Sequence, residues 1–337
     1  MTEPITEPMT GLVTEPLAQP AARSTYIGRI NRVVDHISAN LAGTLDLQAL
    51  ADVAHFSPWH FHRVFQAVTG ENLADCVRRL RLESAAQYLI YSPRTALQIA
   101  MDTGFASAEV FSRAFRAHFG MTPTAWRRGG WREWATRHQI ELRKIHQANH
   151  KANQDIAAAL FKDRNLWPVG PVSSERTLTM HIEQKTIPPL RLAYMRNTGP
   201  YGQEVALLWQ RFAAWCGRQG YMNPRRKMYG ISQDNPEITP ADKCRYDACI
   251  EVDETFKPQG EVGVQNFGGG RYACGRFTGK PGNDVHEAWK HMFAEWLPQS
   301  GYQPDNKPAV ELYDEDFVVD PKTGTFSCWL CVPIRAL

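Results

Sequence analysis

The feature that most limits what this chain can fold into is a stretch that occurs twice, fifty residues apart. "FHRVF" at 61–65 is matched by "FSRAF" at 111–115, and Gly70 is matched by Gly120. Upstream, "LADVAHFS" from Leu50 corresponds to "IAMDTGFAS" from Ile99, with one extra residue in the second copy's turn. Each copy reads as a short helix, a tight turn and a second helix, which is the helix-turn-helix unit. In the first copy Leu45, Leu47, Leu50, Ala51 and Ala54 supply an apolar face. Ser57 suits the N-cap, because its oxygen can accept from an orphan N–H, and Pro58 suits the first helical position. Gly70 is placed to end the helix.

Helical spacing divides the first unit's second helix into two sides. Phe61, Val64, Phe65 and Val68 follow i, i+3, i+4, i+7 and form the side expected to be buried. Trp59, His62, Arg63 and Gln66 follow the same spacing on the opposite side. An indole, an imidazole, a guanidinium and an amide on one outward face can hydrogen-bond base edges and touch thymine methyls. A solvated amphipathic helix would account for one such segment, but not for its duplication. Metal chelation is disfavoured, because His60 and His62 lie about 200° apart around a helix. In the second copy Phe111, Ala114 and Phe115 point inward, while Glu109, Ser112, Arg113 and Arg116 point out.

Between the copies, "LADCVRRLRLESAAQYLIY" runs from Leu73 to Tyr91 without Gly or Pro, with Leu80, Ala85 and Leu89 among its apolar positions. A helix of that length spans about 28 Å, against about 34–36 Å for one turn of B-DNA. A stiff rod of this size could set two recognition helices into successive major grooves. Net charge is only +3, but all basic residues from Ser24 to Trp134 are Arg, twelve against nine acids. Arg suits bidentate contacts with phosphate and base edges, although so small an excess would not by itself establish nucleic-acid binding.

Residues from about Ile27 to Arg128 resemble the DNA-binding domain of the AraC/XylS transcription regulators. The likeness is carried by "LQALADVAHFSPWHFHRVFQAVTG", "RLRLESAAQYL" and "IAMDTGFASAEVFSRAFRAHFGMTPTAWRR", in that order. It implies that Trp59, His62 and Arg63 hold the base-contacting positions of the first recognition helix, and Ser107, Glu109, Ser112 and Arg113 those of the second. Glu109 departs from the uncharged polar residue common in that family. A carboxylate accepts from cytosine N4 but is repelled by phosphate.

The segment from Trp131 to about Leu160 is polar, basic and helix-permissive. His146 and His150 stand i, i+4, but no carboxylate or Cys completes a metal site with them. "NLWPVGPVSSE", from Asn165 to Glu175, has linker composition.

The second half is also duplicated. "RLAYMRNTG" at 191–199 parallels "RYACGRFTG" at 271–279; Val205 and Trp209 recur as Val285 and Trp289; "GY" at 220–221 recurs at 301–302. Each half opens with alternating β-favouring residues, "MHIEQ" or "VGVQNF". Next come a strand, an amphipathic helix, and strands ending in "YDACIEV" or "FSCWLCVPI". Trp209 and Trp289 lie on apolar helical stripes and are expected in the helix–sheet core. This pattern implies an α+β domain with helices on one face of an antiparallel sheet, and a central groove on its pseudo-two-fold axis. In "CWLC" the two cysteines fall on opposite faces of a strand, so packing is expected of them rather than chelation or bridging.

From Met180 onward the chain resembles the GyrI-like effector-binding domain, with "PAVELYDEDF" part of the likeness. The resemblance implies that Glu311 and Tyr313 face a ligand groove, with Tyr229 and Tyr201 as further candidates for its wall. A carboxylate in an aromatic groove suits an amphipathic cation. Some GyrI-like domains are hydrolases, so a catalytic Glu311–Tyr313 pair is the alternative, and a protein-contact domain without ligand is a third reading.

The expected fold is therefore an all-α DNA-binding domain, two helix-turn-helix units joined by a long helix, followed by an α+β domain with a duplicated strand–helix–strand unit. Boundaries are expected at 1–23 for a Pro-rich tail, 24–130 for the DNA-binding domain, 131–178 for a basic helical segment and linker, and 179–337 for the effector domain. This order resembles the Rob-type arrangement within the AraC/XylS family. It implies a transcription regulator, an activator, with promoter DNA, RNA polymerase and a small-molecule effector as partners. No cofactor or metal is expected. The N-terminus lacks a signal-peptide pattern, no run approaches the roughly 20 apolar residues of a membrane span, and the seven cysteines form no disulfide framework. The cytoplasm is the expected location.

Overall fold

A computed structural model describes residues 20–137, 180–222, 226–320 and 322–337, apart from the side chains at 20–22, 59, 203 and 283. The His138, His146 and His150 positions, the 165–175 linker and the tail as far as residue 19 lie outside the described residues.

The first half is helical throughout. It comprises α1 (Pro20–Ala39), α2 (Leu47–Val53), α3 (Pro58–Thr69), α4 (Leu73–Tyr91), α5 (Ala96–Asp102), α6 (Ala108–Phe119) and the short α7 (Pro123–Ala125). Helix α1 begins inside the stretch expected to be tail. Helices as short as α2 and α5 are marginal alone, and each is held by a cap as well as by packing. Asp46 accepts from Ala49 N at 3.1 Å, and Thr95 forms a reciprocal capping box with Gln98. Both α3 and α6 end on a glycine in the left-handed region, Gly70 at φ 71° and Gly120 at φ 73°, which an L side chain rarely adopts.

Helix α4 matches the expected span and belongs to both units. Its Cys76 and Leu80 pack with Ile30, Ile37, Phe61 and Phe65 in the core of the first unit. Its Leu82, Ala85, Ala86 and Leu89 pack with Phe111, Phe115 and Trp126 in the core of the second. Arg79 braces the join between the two cores, donating to Glu71 at 2.6 Å and to Glu83 at 3.1 Å. A rod that supplies side chains to both cores ties any change in the placement of the two units to the packing of each. The second core also takes in Trp134, with its ring 5.3 Å from Phe119 and 5.6 Å from Trp126. The helical row 131–137 thus packs with the DNA-binding half, beyond the expected boundary at 130.

The second half holds β1 (Ile182–Ile187), β2 (Leu190–Thr198), α8 (Gln203–Arg218), β3 (Met228–Ser232), β4 (Arg245–Glu251), β5 (Gly263–Phe267), β6 (Gly270–Gly279), α9 (Asn283–Lys290), β7 (Tyr302–Pro304), β8 (Ala309–Tyr313) and β9 (Phe326–Ala336). The described strands form one antiparallel sheet in the order β1-β6-β9-β8-β3-β4-β2-β5, with β7 on β9. Exchanging the repeats, β1 for β5, β2 for β6, β3 for β8 and β4 for β9, reverses that order onto itself. The pseudo-two-fold axis therefore passes between β3 and β8, where Gly230 faces Glu311. Strands β1 and β5 are traded, each pairing with the other repeat's second strand.

Both helices lie on one face of the sheet, where Trp209 and Phe212 of α8 and Val285 and Trp289 of α9 meet Ala248, Ile250 and Leu330. The opposite face carries Leu192, Tyr194, Tyr229, Ile231, Cys249 and Leu312. Helix α1 of the DNA-binding half docks at that second face, where Asp35 accepts from Tyr194 at 2.5 Å and from Arg196 at 2.6 Å. The sheet thus stands between its own helices and the DNA-binding half. Cys328 packs on the helix-covered face and Cys331 on the other, as strand alternation requires.

Candidate nucleic-acid interface and ligand groove

On α3 the expected division of sides holds for its centre. Phe61 and Phe65 are fully buried, while His62, Arg63 and Gln66 are exposed. Val68, expected inside, is 37% exposed, because the helix has left the core by its last turn. Trp59 lies in the first turn of α3, and its side chain is outside the described ones. Ser57 has N-cap backbone geometry without the expected bond; its hydroxyl pairs with His60 Nδ1 at 3.0 Å.

On α6 Phe111 and Phe115 are buried and Glu109, Arg113 and Arg116 are exposed. Ser107 and Ser112 are half-buried. Ser107 is the N-cap and accepts from Val110 N at 3.3 Å, and its hydroxyl also bonds to Glu109, which holds that carboxyl below its usual range. Both residues are thereby engaged at the helix start. Arg63 and Arg116 form no ion pair with any described residue, so their guanidinium groups face solvent with all donors available.

The candidate ligand site centres on Glu311 in β8, 9% exposed. One carboxylate oxygen accepts from Tyr246 Oη at 2.5 Å and from Tyr313 Oη at 2.7 Å. Trp289 also donates to Glu311. Trp209 Nε1 donates to Tyr246 Oη at 3.1 Å, and its ring stands edge-on to Tyr313 with centroids 4.9 Å apart. Burial pushes the Glu311 carboxyl above its ordinary value, only partly offset by the three donors. Burial, then the Glu311 charge, pushes both tyrosines well up, so they remain protonated donors. Among the described residues no Lys, Arg or His comes within ion-pair distance of Glu311. The site is a buried acid surrounded by neutral donors and aromatic rings.

Backbone economy makes the site possible at its centre. Any Cβ at Gly230 would sit 1.9 Å from Tyr246 Oη and 2.9 Å from Glu311 Oε2, so only glycine permits the tyrosine to reach the acid across β3.

Of the residues expected to face the groove, Glu311 and Tyr313 are joined by the 2.7 Å bond. Tyr229 does not join them. It sits opposite Leu312 and Cys249 in the register, which puts its ring on the other face of the sheet. Tyr201 lies at the margin, its ring 6.1 Å from Tyr246 and its hydroxyl donating to the carbonyls of Asp234 and Arg245. Tyr246, Trp209 and Trp289 are the members that sequence reasoning missed or assigned to packing. The alternation of Tyr246, Ala248 and Ile250 along β4 marked the face, but only the pairing register brings Tyr246 to Glu311.

Two helix-turn-helix units on a shared rod, followed by a pseudo-symmetric sheet with an acid at its axis, point to a DNA-binding protein with a small-molecule-binding domain. Comparison with known proteins makes this specific. Residues 50–129 match the helix-turn-helix domain family and residues 180–335 match the GyrI-like small molecule binding domain. The chain is 34% identical over 98 residues to the regulatory protein SoxS of Salmonella typhimurium, covering 29% of this chain and 92% of SoxS. It is 32% identical over 125 residues to the right origin-binding protein of Escherichia coli K12, covering 37% of this chain and 43% of that protein. A solved AraC-type DNA-binding regulator from Chromobacterium violaceum aligns at 28% identity and a TM-score of 0.29, over 29% of this chain and 88% of that one. The chain spans most of SoxS and under half the length of the right origin-binding protein. It belongs to the AraC-type helix-turn-helix transcription regulators and carries a GyrI-like small-molecule-binding domain. No helix among the described residues is long and apolar enough to cross a membrane.

Proposed function

We propose that this regulator binds promoter DNA through the outward faces of α3 and α6 and senses a lipophilic cation at Glu311. The observation that carries the ligand class is a buried carboxyl with neutral donors and no cation among the described residues. A charge so placed is costly unless paired, and a lipophilic aromatic cation would supply the missing charge together with apolar area for Trp209, Trp289 and Tyr313. Entry requires the half-buried Trp289 to move off the acid.

On the DNA side, Trp59, His62, Arg63 and Gln66 of α3 are the direct readers. Arg113, Arg116 and Ser112 serve α6, while Ser107 and Glu109 fix its start. The reading locates the protein in the cytoplasm with its promoter, and RNA polymerase is the partner through which it acts as an activator. Catalysis by Glu311 and Tyr313 is disfavoured, since a general base must reach a substrate proton and this carboxylate already accepts from three protein donors. The domain boundaries that suit this division are residue 137 or later for the DNA-binding half and residue 180 for the effector half.

The test is footprinting and affinity measurement of the full chain on its own promoter region, with Arg63→Ala and Arg113→Ala. Arg63→Ala is expected to weaken binding by about 1–3 kcal/mol, more than Arg113→Ala, and to lower the salt slope. Unchanged affinity in both variants would remove the proposed interface.

A further inference from the structure

We infer that the β3–β4 hairpin transmits the state of the Glu311 groove to the relative placement of the two helix-turn-helix units. The inference rests on the proposed ligand site and adds how that site would be read.

The hairpin has one end in the groove. Gly230 of β3 lies against Tyr246 and Glu311, and Tyr246 of β4 donates to Glu311. Because side chains alternate along a strand, the neighbours of Tyr246 point to the other face, toward the DNA-binding half. Arg245 holds Asp234 at 2.7 Å and reaches Ser38 Oγ of α1 at 3.0 Å. Asp247 holds Arg196 through both oxygens, at 2.7 and 2.8 Å, and Arg196 extends to Asp35 of α1. Tyr201 bonds to backbone carbonyls on both sides of the hairpin neck, with its ring beside that of Tyr246.

The connection between the strands continues into the DNA-binding half. Ile238 is 1% exposed and packs in the core of the second unit, with Leu82, Phe119 and Trp126. Five residues on, Lys243 Nζ donates to the carbonyl of Thr69, the last residue of α3, at 2.8 Å. A cation there also complements the negative end of the recognition helix. One hairpin therefore touches α1, the end of the first recognition helix, and the core beneath the second.

A cation that draws Glu311 away from Tyr246 changes the seat of β4. Close-packed elements answer such shifts by moving as bodies rather than by deforming. Since Ile238 is fixed in one unit and Lys243 on the other, displacement of the hairpin alters the spacing of the readers. The ligand then has different affinities for the two arrangements, the condition for shifting an equilibrium.

The test is a double-mutant cycle on DNA affinity of the full chain, using Tyr246→Phe at the groove end and Lys243→Met at the reader end. The expected result is non-additivity. The fold-change in the dissociation constant of the double variant should differ at least threefold from the product of the single fold-changes. A smaller departure overturns the hairpin as the connection. Should Tyr246→Phe fail to fold, Glu311→Gln takes its place in the cycle. Tryptophan fluorescence with tetraphenylphosphonium, run separately on the unmodified protein, tests the ligand reading. Its failure to bind would overturn the cation site, while the cycle would still decide the hairpin.

Discussion

Two buried carboxylates stand on opposite faces of the same sheet, and their surroundings differ. Asp247 is fully buried and accepts from Arg196 through both oxygens, with Gln233 and Gln265 adding bonds at 2.8 and 3.0 Å. Glu311 is nearly as buried but has only two phenols and an indole. The first is a completed ion pair that fastens the effector half to α1. The second has no counter-charge among the described residues. Burial is common to both acids; what sets Glu311 apart, and makes it the proposed ligand site, is the lack of a cationic partner among the described residues.

The contrast is broken most forcefully at Asp247. Asp247→Ala strands the Arg196 guanidinium in the sheet with Asp35 alone, and unfolding free energy is expected to fall by about 3–5 kcal/mol, read from urea denaturation. A loss below about 1 kcal/mol would mean that the pair is no brace.

The next effect is in the pH dependence of ligand binding. The Glu311 carboxyl is raised above its ordinary 4.5, so it is protonated over part of the range in which a free carboxylate is charged. Affinity for tetraphenylphosphonium is therefore expected to climb with pH, by at most about tenfold per unit, and to level off above the folded-state value. The same shift acts on stability with the opposite sense. An acid raised in the folded state contributes stability that is complete below its unfolded value and lost as pH rises through the folded one. Titrations of binding and of urea midpoint should thus run in opposite directions, and a pH-independent affinity would contradict a carboxylate contact.

The smallest effect is that of Glu311→Gln on stability. Removing Asp247 orphans a cation, whereas removing the Glu311 charge orphans none. The amide oxygen can still accept from Tyr246 and Tyr313. At neutral pH the urea midpoint is expected to hold or rise slightly, and a fall comparable to that of Asp247→Ala would erase the distinction.

Much of this architecture was legible in local sequence. The span of α4 followed from nineteen residues without Gly or Pro, and the inward and outward sides of α3 and α6 from helical spacing. The antiparallel sheet and its pseudo-two-fold order followed from the second duplication. What local pattern could not supply was register and docking. Tyr229 and Gly230 are neighbours, and only the β3–β8 pairing decides which of them faces Glu311. Tyr246 reaches an acid 65 residues away. Lys243 and Arg196 find their helical partners 174 and 161 residues back along the chain. Such contacts arise from the packing of whole elements, which no periodicity within an element records.

The central claim is that Glu311 supplies the charge that selects the ligand. It is tested most directly by titrating tetraphenylphosphonium and the neutral triphenylphosphine oxide into the full chain and into Glu311→Gln at pH 8. The account predicts that the substitution weakens the cation at least tenfold, about 1.4 kcal/mol, and leaves the neutral compound within about twofold of its original affinity. Equal losses for both compounds, or none for either, would contradict it.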